Sequence, residues 1–172
     1  MSNFNKNFKA MWWKVKAFSA RVYYGYPASR LKIIGVTGTS GKTTTATLLY
    51  KIALGLEYKV GLISTVENLM NGKSLGENSK GPGTTPDAVT LTKIFHTMYK
   101  AGCEYVIMEV SSHAVVQGRV DNIKFVGGIF TNLSQDHLDY HKDMEDYFKA
   151  KKKFFQMLSP RAFALTNADD KY

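Results

Sequence analysis

Short apolar runs alternate with amphipathic segments along most of the chain. The apolar runs predict strands at 31–36, 59–66, 104–110, 124–130 and 161–166. Helical periodicity predicts helices from about Lys42 to Leu56, from Asp87 to near Gly102, and from Asp143 to Leu158. The polar, glycine-rich stretch 68–83 predicts a loop or a short hairpin. Because strands alternate with helices, the predicted fold class is α/β, with a mostly parallel sheet flanked by helices.

The first thirty residues have a different pattern. Apolar side chains recur there at helical spacing, at Phe4, Phe8, Met11, Trp12, Val15, Phe18 and Val22. Cations fill much of the remainder, at Lys6, Lys9, Lys14, Lys16 and Arg21. This predicts a basic amphipathic helix, which we expect to dock through its aromatic stripe on the following domain; peripheral contact with an anionic membrane surface is the alternative. Residues 23–30, with Gly25 and Pro27, are predicted to form a linker, so the predicted division of the chain is 1–30 and 31–172.

Composition narrows the class of protein. With 172 residues and 44% apolar residues, the chain is expected to fold around a core. The single cysteine, Cys103, excludes an intramolecular disulfide framework and a cysteine-rich zinc site. The net charge of +9 suits polyanions, including phosphorylated small molecules. No RNA- or DNA-binding motif accompanies that charge, so we do not expect a nucleic-acid partner.

A phosphate-binding loop is predicted between the first strand and the helix that follows it. The residues are Thr37-Gly38-Thr39-Ser40-Gly41-Lys42-Thr43-Thr44. Glycines allow backbone N–H groups to turn toward an anion, and the helix N-terminus adds positive potential. Lys42 would reach the β- and γ-phosphates, and the Thr43 hydroxyl could ligate magnesium. Val36 occupies the position where the strict motif has its first glycine, so the loop is a variant form; an ordinary glycine-rich turn is the alternative.

Polar residues also follow two other apolar strands. Glu109 ends one of them and is followed by Ser111, Gln117 and Arg119, whereas Asn132 and His137 follow the next strand. In open α/β sheets, ligands bind beyond the carboxyl ends of the strands. A carboxylate at the end of a buried strand needs a compensating partner, for which nucleotide-bound magnesium is a candidate. A structural carboxylate and a loop histidine are the alternative interpretations.

Lys151 falls within the apolar stripe of the helix that begins at Asp143, whereas Lys149 and Lys152 fall outside it. A buried lysine can extend its amine to solvent. Alternatively, burial favours the neutral amine, which can take up carbon dioxide to form a carbamate. Periodicity alone favours the first explanation.

Several motifs together resemble the central domain of the Mur ligases, and most closely the MurE subfamily. They are Gly35 to Thr44, Thr84-Thr85-Pro86, MEVSSHAVVQGRV from Met108, and FTNLSQDHLDYHKDMEDYFKAKKKFF from Phe130. The resemblance implies a cytoplasmic ATP-dependent ligase of peptidoglycan precursor synthesis. The terminal carboxylate of UDP-N-acetylmuramoyl-L-Ala-D-Glu would be phosphorylated, and an amino acid, lysine or meso-diaminopimelate, would then attack the acyl phosphate.

The resemblance also implies roles for individual residues. Those implied for catalysis are Lys42, Glu109, His137 and Lys151. The ATP phosphates would be held by Gly38, Thr39, Ser40, Gly41, Lys42, Thr43, Thr44 and Asn132. The UDP-muramoyl-dipeptide would be held by Thr84, Thr85, Ser111, Gln117 and Arg119. Magnesium would be bound by Thr43, Glu109, His137 and Lys151, the last as a carbamate. For Lys151 the resemblance therefore favours the carbamate, whereas periodicity alone favours an amine that extends to solvent.

The sequence also departs from the family pattern. Ser40 and Gly83 stand where the family usually has Asn, which predicts weaker contacts. Residues 1–30 are all that stands in place of the family's N-terminal domain, and the sequence contains no counterpart of its C-terminal domain. We therefore expect the chain to be part of a longer ligase and to show little turnover by itself. The alternatives are another amide ligase with the same ATP site, such as a folylpolyglutamate synthetase or another Mur ligase, and an inactive nucleotide-binding fragment.

Overall fold

The computed structural model describes residues 3–79, 83–135, 142–170 and 172, with the backbone alone for 3–10 and 78. The described helices are α1 (Asn3–Tyr23), α2 (Lys42–Gly55), α3 (Ala88–Lys100), α4 (Ser112–Val116) and α5 (Met144–Gln156). The described strands are β1 (Lys32–Thr37), β2 (Val60–Ile63), β3 (Asn68–Met70), β4 (Lys73–Ser74), β5 (Tyr105–Glu109), β6 (Phe125–Phe130) and β7 (Phe163–Leu165). The predicted elements are therefore present, with a short helix, α4, in addition.

These strands form one sheet in the order β4-β3-β2-β5-β1-β6-β7. The five strands β2, β5, β1, β6 and β7 run parallel, which confirms the predicted mostly parallel α/β class. Strands β3 and β4 form an antiparallel hairpin at one edge, and this resolves the choice between loop and hairpin for 68–83.

Register places the carboxyl ends of the central strands together. Val36 of β1 pairs with Glu109 of β5, and Thr37 pairs with Phe130 of β6. The segments that follow these strands therefore leave the sheet at one edge. The residues predicted at strand ends, apart from His137, belong to this edge; His137 lies outside the described residues.

The core lies on both faces of the sheet. Helix α2 covers one face, where Tyr50 and Ala46 pack with Val60, Leu62 and Ile107. Helices α3 and α5 contribute the apolar side chains of the other face, including Phe95, Met98 and Phe154. Phe154 is fully buried and meets the ring of Phe125 edge-on at a centroid distance of 5.0 Å.

Helix α1 docks on α3, as expected, but the face predicted to make the contact is wrong. Among the α1 side chains that the structure describes, from Met11 onward, Ala17 is the buried one. Tyr24, just after the helix, packs against His96 with ring centroids 4.9 Å apart. Met11, Trp12, Val15, Phe18 and Val22 of the aromatic stripe are exposed. The stripe lies roughly opposite Ala17 at about 100° per residue, so small side chains rather than large ones make the close approach.

Candidate functional site

The loop between β1 and α2 has the backbone geometry that a phosphate-binding loop requires. Gly38 and Gly41 adopt φ angles of 152° and 80°, which L side chains rarely tolerate. A Cβ atom on Gly38 would collide with the Thr131 side chain. Gly41 is the N-cap of α2 and has no side chain with which to cap that helix start, so the N–H groups of the first turn are oriented for an anion.

Two lysines converge on one carbonyl oxygen of this loop. The Nζ of Lys42 donates to Gly38 O at 2.9 Å and to Thr39 O at 2.7 Å. The Nζ of Lys151 donates to the same Gly38 O at 2.7 Å and lies 4.3 Å from the Tyr147 ring centroid. Lys151 is 3% exposed, which confirms the burial inferred from periodicity and excludes an amine that reaches solvent. Two cations at one carbonyl create positive potential where phosphate would bind.

The end of β6 supports the same loop. Asn132 accepts a hydrogen bond from Ser40 N at 2.9 Å through Oδ1 and donates to Ser40 O at 3.1 Å. The Thr131 hydroxyl donates to Ser40 O at 2.7 Å. Asn132 thus contacts the phosphate loop itself: both side-chain bonds involve the backbone of Ser40, and its backbone O accepts a bond from Thr39 N at 2.9 Å. Its predicted contact with the ATP phosphates stays a prediction.

Glu109 is fully buried at the end of β5, and the structure supplies it with a protein partner. Its carboxylate accepts hydrogen bonds from Thr65 N at 2.8 Å and from Thr65 Oγ1 at 3.2 Å. Thr65 follows β2, the neighbour of β5 in the sheet. These two bonds offset part of the desolvation of the carboxylate and fix its orientation.

Four of the five residues predicted to hold the acidic substrate form a connected group beside Glu109. Thr85 Oγ1 donates to Glu109 O at 3.0 Å and accepts from Ser111 N at 3.1 Å. Arg119 donates to Thr85 O at 2.7 Å and to Gln117 Oε1 at 2.9 Å. Thr84, the fifth, is half-buried next to Thr85. The backbone carbonyl of Thr85 therefore positions the Arg119 guanidinium.

A groove of about 790 Å³ opens beside this group. Its lining includes Gln117 and Arg119, the start of α3 at Asp87, and Lys14 and Arg21 of α1. Asp87 caps α3 by accepting from Val89 N, Thr90 N and Thr90 Oγ1 at 2.9, 3.1 and 2.6 Å. Burial, the largest single influence, raises the pKa of Asp87, but these hydrogen bonds together hold the pKa below its ordinary value of 3.8.

The residues at this edge of the sheet suit a hard cation that takes a few protein oxygens and keeps water or phosphate as its remaining ligands. Within the described ranges, no group of three or more His, Cys, Asp or Glu side chains could hold a metal ion. Oxygen donors are nevertheless present, since Thr43 lies in the first turn of α2 and Glu109 ends β5. The Thr37 hydroxyl is buried and has no hydrogen-bond partner in the described part of the chain. Magnesium, which takes only one or two protein ligands beside phosphate and water, fits such a set.

Three contacts at the site were missed by sequence reasoning. They are Thr65 with Glu109, Thr131 with Ser40, and Tyr147, whose hydroxyl lies 3.2 Å from Thr39 Oγ1. Thr131 directly follows a predicted strand, so the rule that pointed to Asn132 covers it, whereas Thr65 lies inside the predicted strand 59–66 and gave no such signal. Tyr147 lies four residues before Lys151, on the same side of α5, and that spacing was the available signal.

Comparison with known proteins places this geometry in a family. Residues 36–172 match the family model described as the Mur ligase middle domain. A UDP-N-acetylmuramoyl-L-alanyl-D-glutamate–2,6-diaminopimelate ligase of Bacteroides fragilis is 52% identical over 153 residues, 89% of this chain and 31% of the relative. The enzyme of the same name from Aquifex aeolicus is 46% identical over 154 residues, 90% of this chain and 31% of the relative. The chain thus spans about a third of the length of these curated relatives.

Solved structures agree with that assignment. A UDP-N-acetylmuramoyl-L-alanyl-D-glutamate–2,6-diaminopimelate ligase structure superposes with a TM-score of 0.75 at 31% identity, covering 91% of this chain and 32% of that one. The MurF ligase of Thermotoga maritima, solved in complex with ADP, has a TM-score of 0.63 at 19% identity, covering 88% of this chain and 32% of its own, and shows the shared fold alone. Since the family model extends from β1 to the last residue, the chain belongs to the Mur ligase middle-domain family.

Proposed function

We propose that the chain is the ATP-binding part of a cytoplasmic amide ligase that extends UDP-N-acetylmuramoyl-L-Ala-D-Glu by one amino acid. One observation carries the proposal: the phosphate loop with its two lysines and the Thr85–Ser111–Arg119 group lie at the same sheet edge. A ligase that activates a carboxylate with ATP needs both anions at one place. The names of the relatives favour 2,6-diaminopimelate over lysine as the incoming amino acid.

In the proposed reaction, a carboxylate oxygen of the substrate attacks the γ-phosphorus of ATP, and ADP leaves. The amine of the incoming amino acid then attacks the acyl carbon; inorganic phosphate leaves and the amine loses a proton. The chain's own contribution is to bring two anions together and neutralise their repulsion. Lys42 would move from the carbonyls of Gly38 and Thr39 to the β- and γ-phosphates. Arg119, held by Thr85 O, would face the acidic substrate.

The remaining predicted roles belong to the same proposal. Gly38, Thr39, Ser40, Gly41, Thr43 and Thr44 would bind phosphates, with Asn132 bracing the loop. Thr84, Thr85, Ser111 and Gln117 would contact the UDP-muramoyl-dipeptide together with Arg119. Magnesium would be held by Thr43 and Glu109, with His137, and would neutralise charge on the transferred phosphoryl group.

The proposal includes a carbamate on Lys151. The amine is buried and its neighbourhood contains Lys42, which donates to the same carbonyl oxygen. Converting one cation of this pair to an anion would remove the repulsion between them and add an oxygen ligand for magnesium. Isotope-labelled bicarbonate followed by NMR tests this directly: a carbamate signal is expected in the parent chain and not in Lys151→Met.

Lys42→Ala tests the phosphate loop. Removing the amine should weaken ATP binding by at least about tenfold, because a charge-assisted contact to the phosphates is lost. Lys51→Ala, an exposed lysine on the same helix, is the matched control and should bind like the parent. Calorimetric titration with a non-hydrolysable ATP analogue measures both. Equal affinity in Lys42→Ala and the parent would overturn the assignment of the loop.

Substrate class is tested by adding UDP-N-acetylmuramoyl-L-Ala-D-Glu or a folate to the ATP-loaded chain. The muramoyl compound should bind, and Arg119→Ala should abolish its binding while ATP affinity is retained. Folate binding in its place would identify another amide ligase with the same ATP site. Because the chain spans only part of its relatives, we expect little ADP release from it alone; sustained peptide-bond formation would contradict that expectation.

A further inference from the structure

Helix α1 has two faces with opposite surroundings. Through Ala17 it packs on α3, and Tyr24 continues this contact against His96. The other side carries an apolar stripe that is about half exposed, and Phe18 at its edge also lines the groove beside Arg119. Met11, Phe18 and Val22 are 58%, 54% and 50% exposed. The helix is therefore held on the domain in an orientation that presents its largest apolar side chains outward.

The charges of α1 all have one sign. Five cations are distributed along it, at Lys6, Lys9, Lys14, Lys16 and Arg21, and no acidic residue precedes Glu57 in the sequence. At about 100° per residue, Lys14 flanks the stripe on one side and Lys16 on the other. Lys16 also lies 5.3 Å from the Trp12 ring centroid. Apolar and aromatic residues between two rows of cations are typical of a helix that lies in a lipid headgroup region.

A second copy of the chain is a poor occupant for this face. Two α1 helices packed stripe to stripe would bring the flanking Lys14 and Lys16 of both copies together, four cations with no carboxylate on either helix. An anionic surface offers the opposite charge and an apolar layer below it. None of the helices in the described part of the chain has the length and hydropathy needed to cross a bilayer.

We propose that α1 binds anionic lipid bilayers, with Met11, Trp12, Val15, Phe18 and Val22 inserted among the acyl chains near the headgroups. The cations beside the stripe would contact lipid phosphates. Because Ala17 and the stripe lie on opposite sides of α1, the bilayer and the domain would occupy opposite sides of the helix. Phe18 also lines the groove beside Arg119. None of the five residues belongs to the phosphate loop, so ATP affinity separates this inference from the ligase proposal.

Flotation of the full chain with lipid vesicles tests the proposal. We expect binding to vesicles that contain phosphatidylglycerol, weaker binding at high salt, and little binding to pure phosphatidylcholine. Tryptophan emission should shift to shorter wavelength on binding, because Trp12 leaves water. Met11→Glu with Phe18→Glu should weaken binding by at least about tenfold, since two anchors are replaced by repelled carboxylates.

Ile52→Glu is the matched control, because Ile52 lies on α2 and is as exposed as Met11, 58% in each case. It should bind vesicles like the parent. Both variants should retain the far-ultraviolet spectrum and ATP affinity of the parent, which separates lipid binding from folding and from the ligase proposal. The inference is overturned if the double variant floats like the parent, if no vesicle binds the parent, or if sedimentation shows a dimer that the double variant abolishes.

Discussion

Helices α1 and α5 have the same sequence character and opposite surroundings. Both are amphipathic, and both are rich in lysine. Helix α5 buries its apolar side, including Tyr147, Lys151 and Phe154, whereas α1 leaves its stripe exposed and docks through Ala17. An amphipathic pattern therefore identifies a face that needs an apolar partner, but not whether that partner is the rest of the chain.

The surface that receives each helix accounts for the difference. Phe154 packs over Gly35 of β1 and Gly128 of β6, where a Cβ atom would lie 2.5 and 3.0 Å from its ring. The two glycines leave room for an aromatic ring between helix and sheet. Helix α1 instead meets the side of α3, where the small Ala17 permits a close approach of two helices. Large side chains are buried where the facing backbone makes room for them.

The largest expected effect compares equivalent truncations on the two helices. Phe154→Ala should lower the free energy of unfolding by about 3–5 kcal/mol, because it leaves a cavity against the sheet. Phe18→Ala on α1 should change it by less than about 0.5 kcal/mol, because that ring is already half exposed. Urea denaturation followed by circular dichroism measures both. Similar losses in the two variants would show that α1 is packed as α5 is.

A smaller loss is expected when the space that receives Phe154 is filled. Gly35→Ala should cost about 1–3 kcal/mol, because its Cβ would lie 2.5 Å from Phe154 Cζ and 3.0 Å from Val110 Cγ2. Gly55→Ala is the control: no atom lies within 4 Å of its Cβ position, and alanine favours the helix. Thermal unfolding of the pair distinguishes crowding from a general effect of alanine. A neutral Gly35→Ala would mean that Phe154 shifts freely.

The smallest expected effect concerns α3, the helix that supports α1. Asp87→Ala removes its N-cap and should cost about 1 kcal/mol at neutral pH. Because the pKa of Asp87 is lowered in the folded chain, the ionised cap stabilises above its ordinary value of 3.8, and this contribution is lost as the pH falls through the folded value. Asp87→Asn keeps the cap without the titration, so its stability should depend less on pH in this range. Identical pH profiles for parent and Asp87→Asn would contradict this assignment.

Much of the fold was predictable, because it depends on local patterns. Strand and helix positions, the phosphate loop and the burial of Lys151 follow from apolar spacing and from the Gly-rich turn before Lys42. The polar groups after β1, β5 and β6 could be expected together because parallel strands end at one edge. The pairing of Thr65 with Glu109 could not, since it depends on β2 lying next to β5. The docking face of α1 depends on the shape of α3, which no periodicity in α1 reports.

Helix α5 also connects the phosphate loop with the core between the central strands. Tyr147 and Lys151 reach the phosphate loop at Thr39 and Gly38, and Phe154, within two turns of them, is anchored between the central strands. These three side chains lie on one face of α5, with Phe154 packed in the core and Tyr147 and Lys151 against the phosphate loop. A substitution that tilts α5 is expected to change the backbone conformation of the phosphate loop as well. Substitutions along this face of α5 are therefore expected to change stability and ligand binding together.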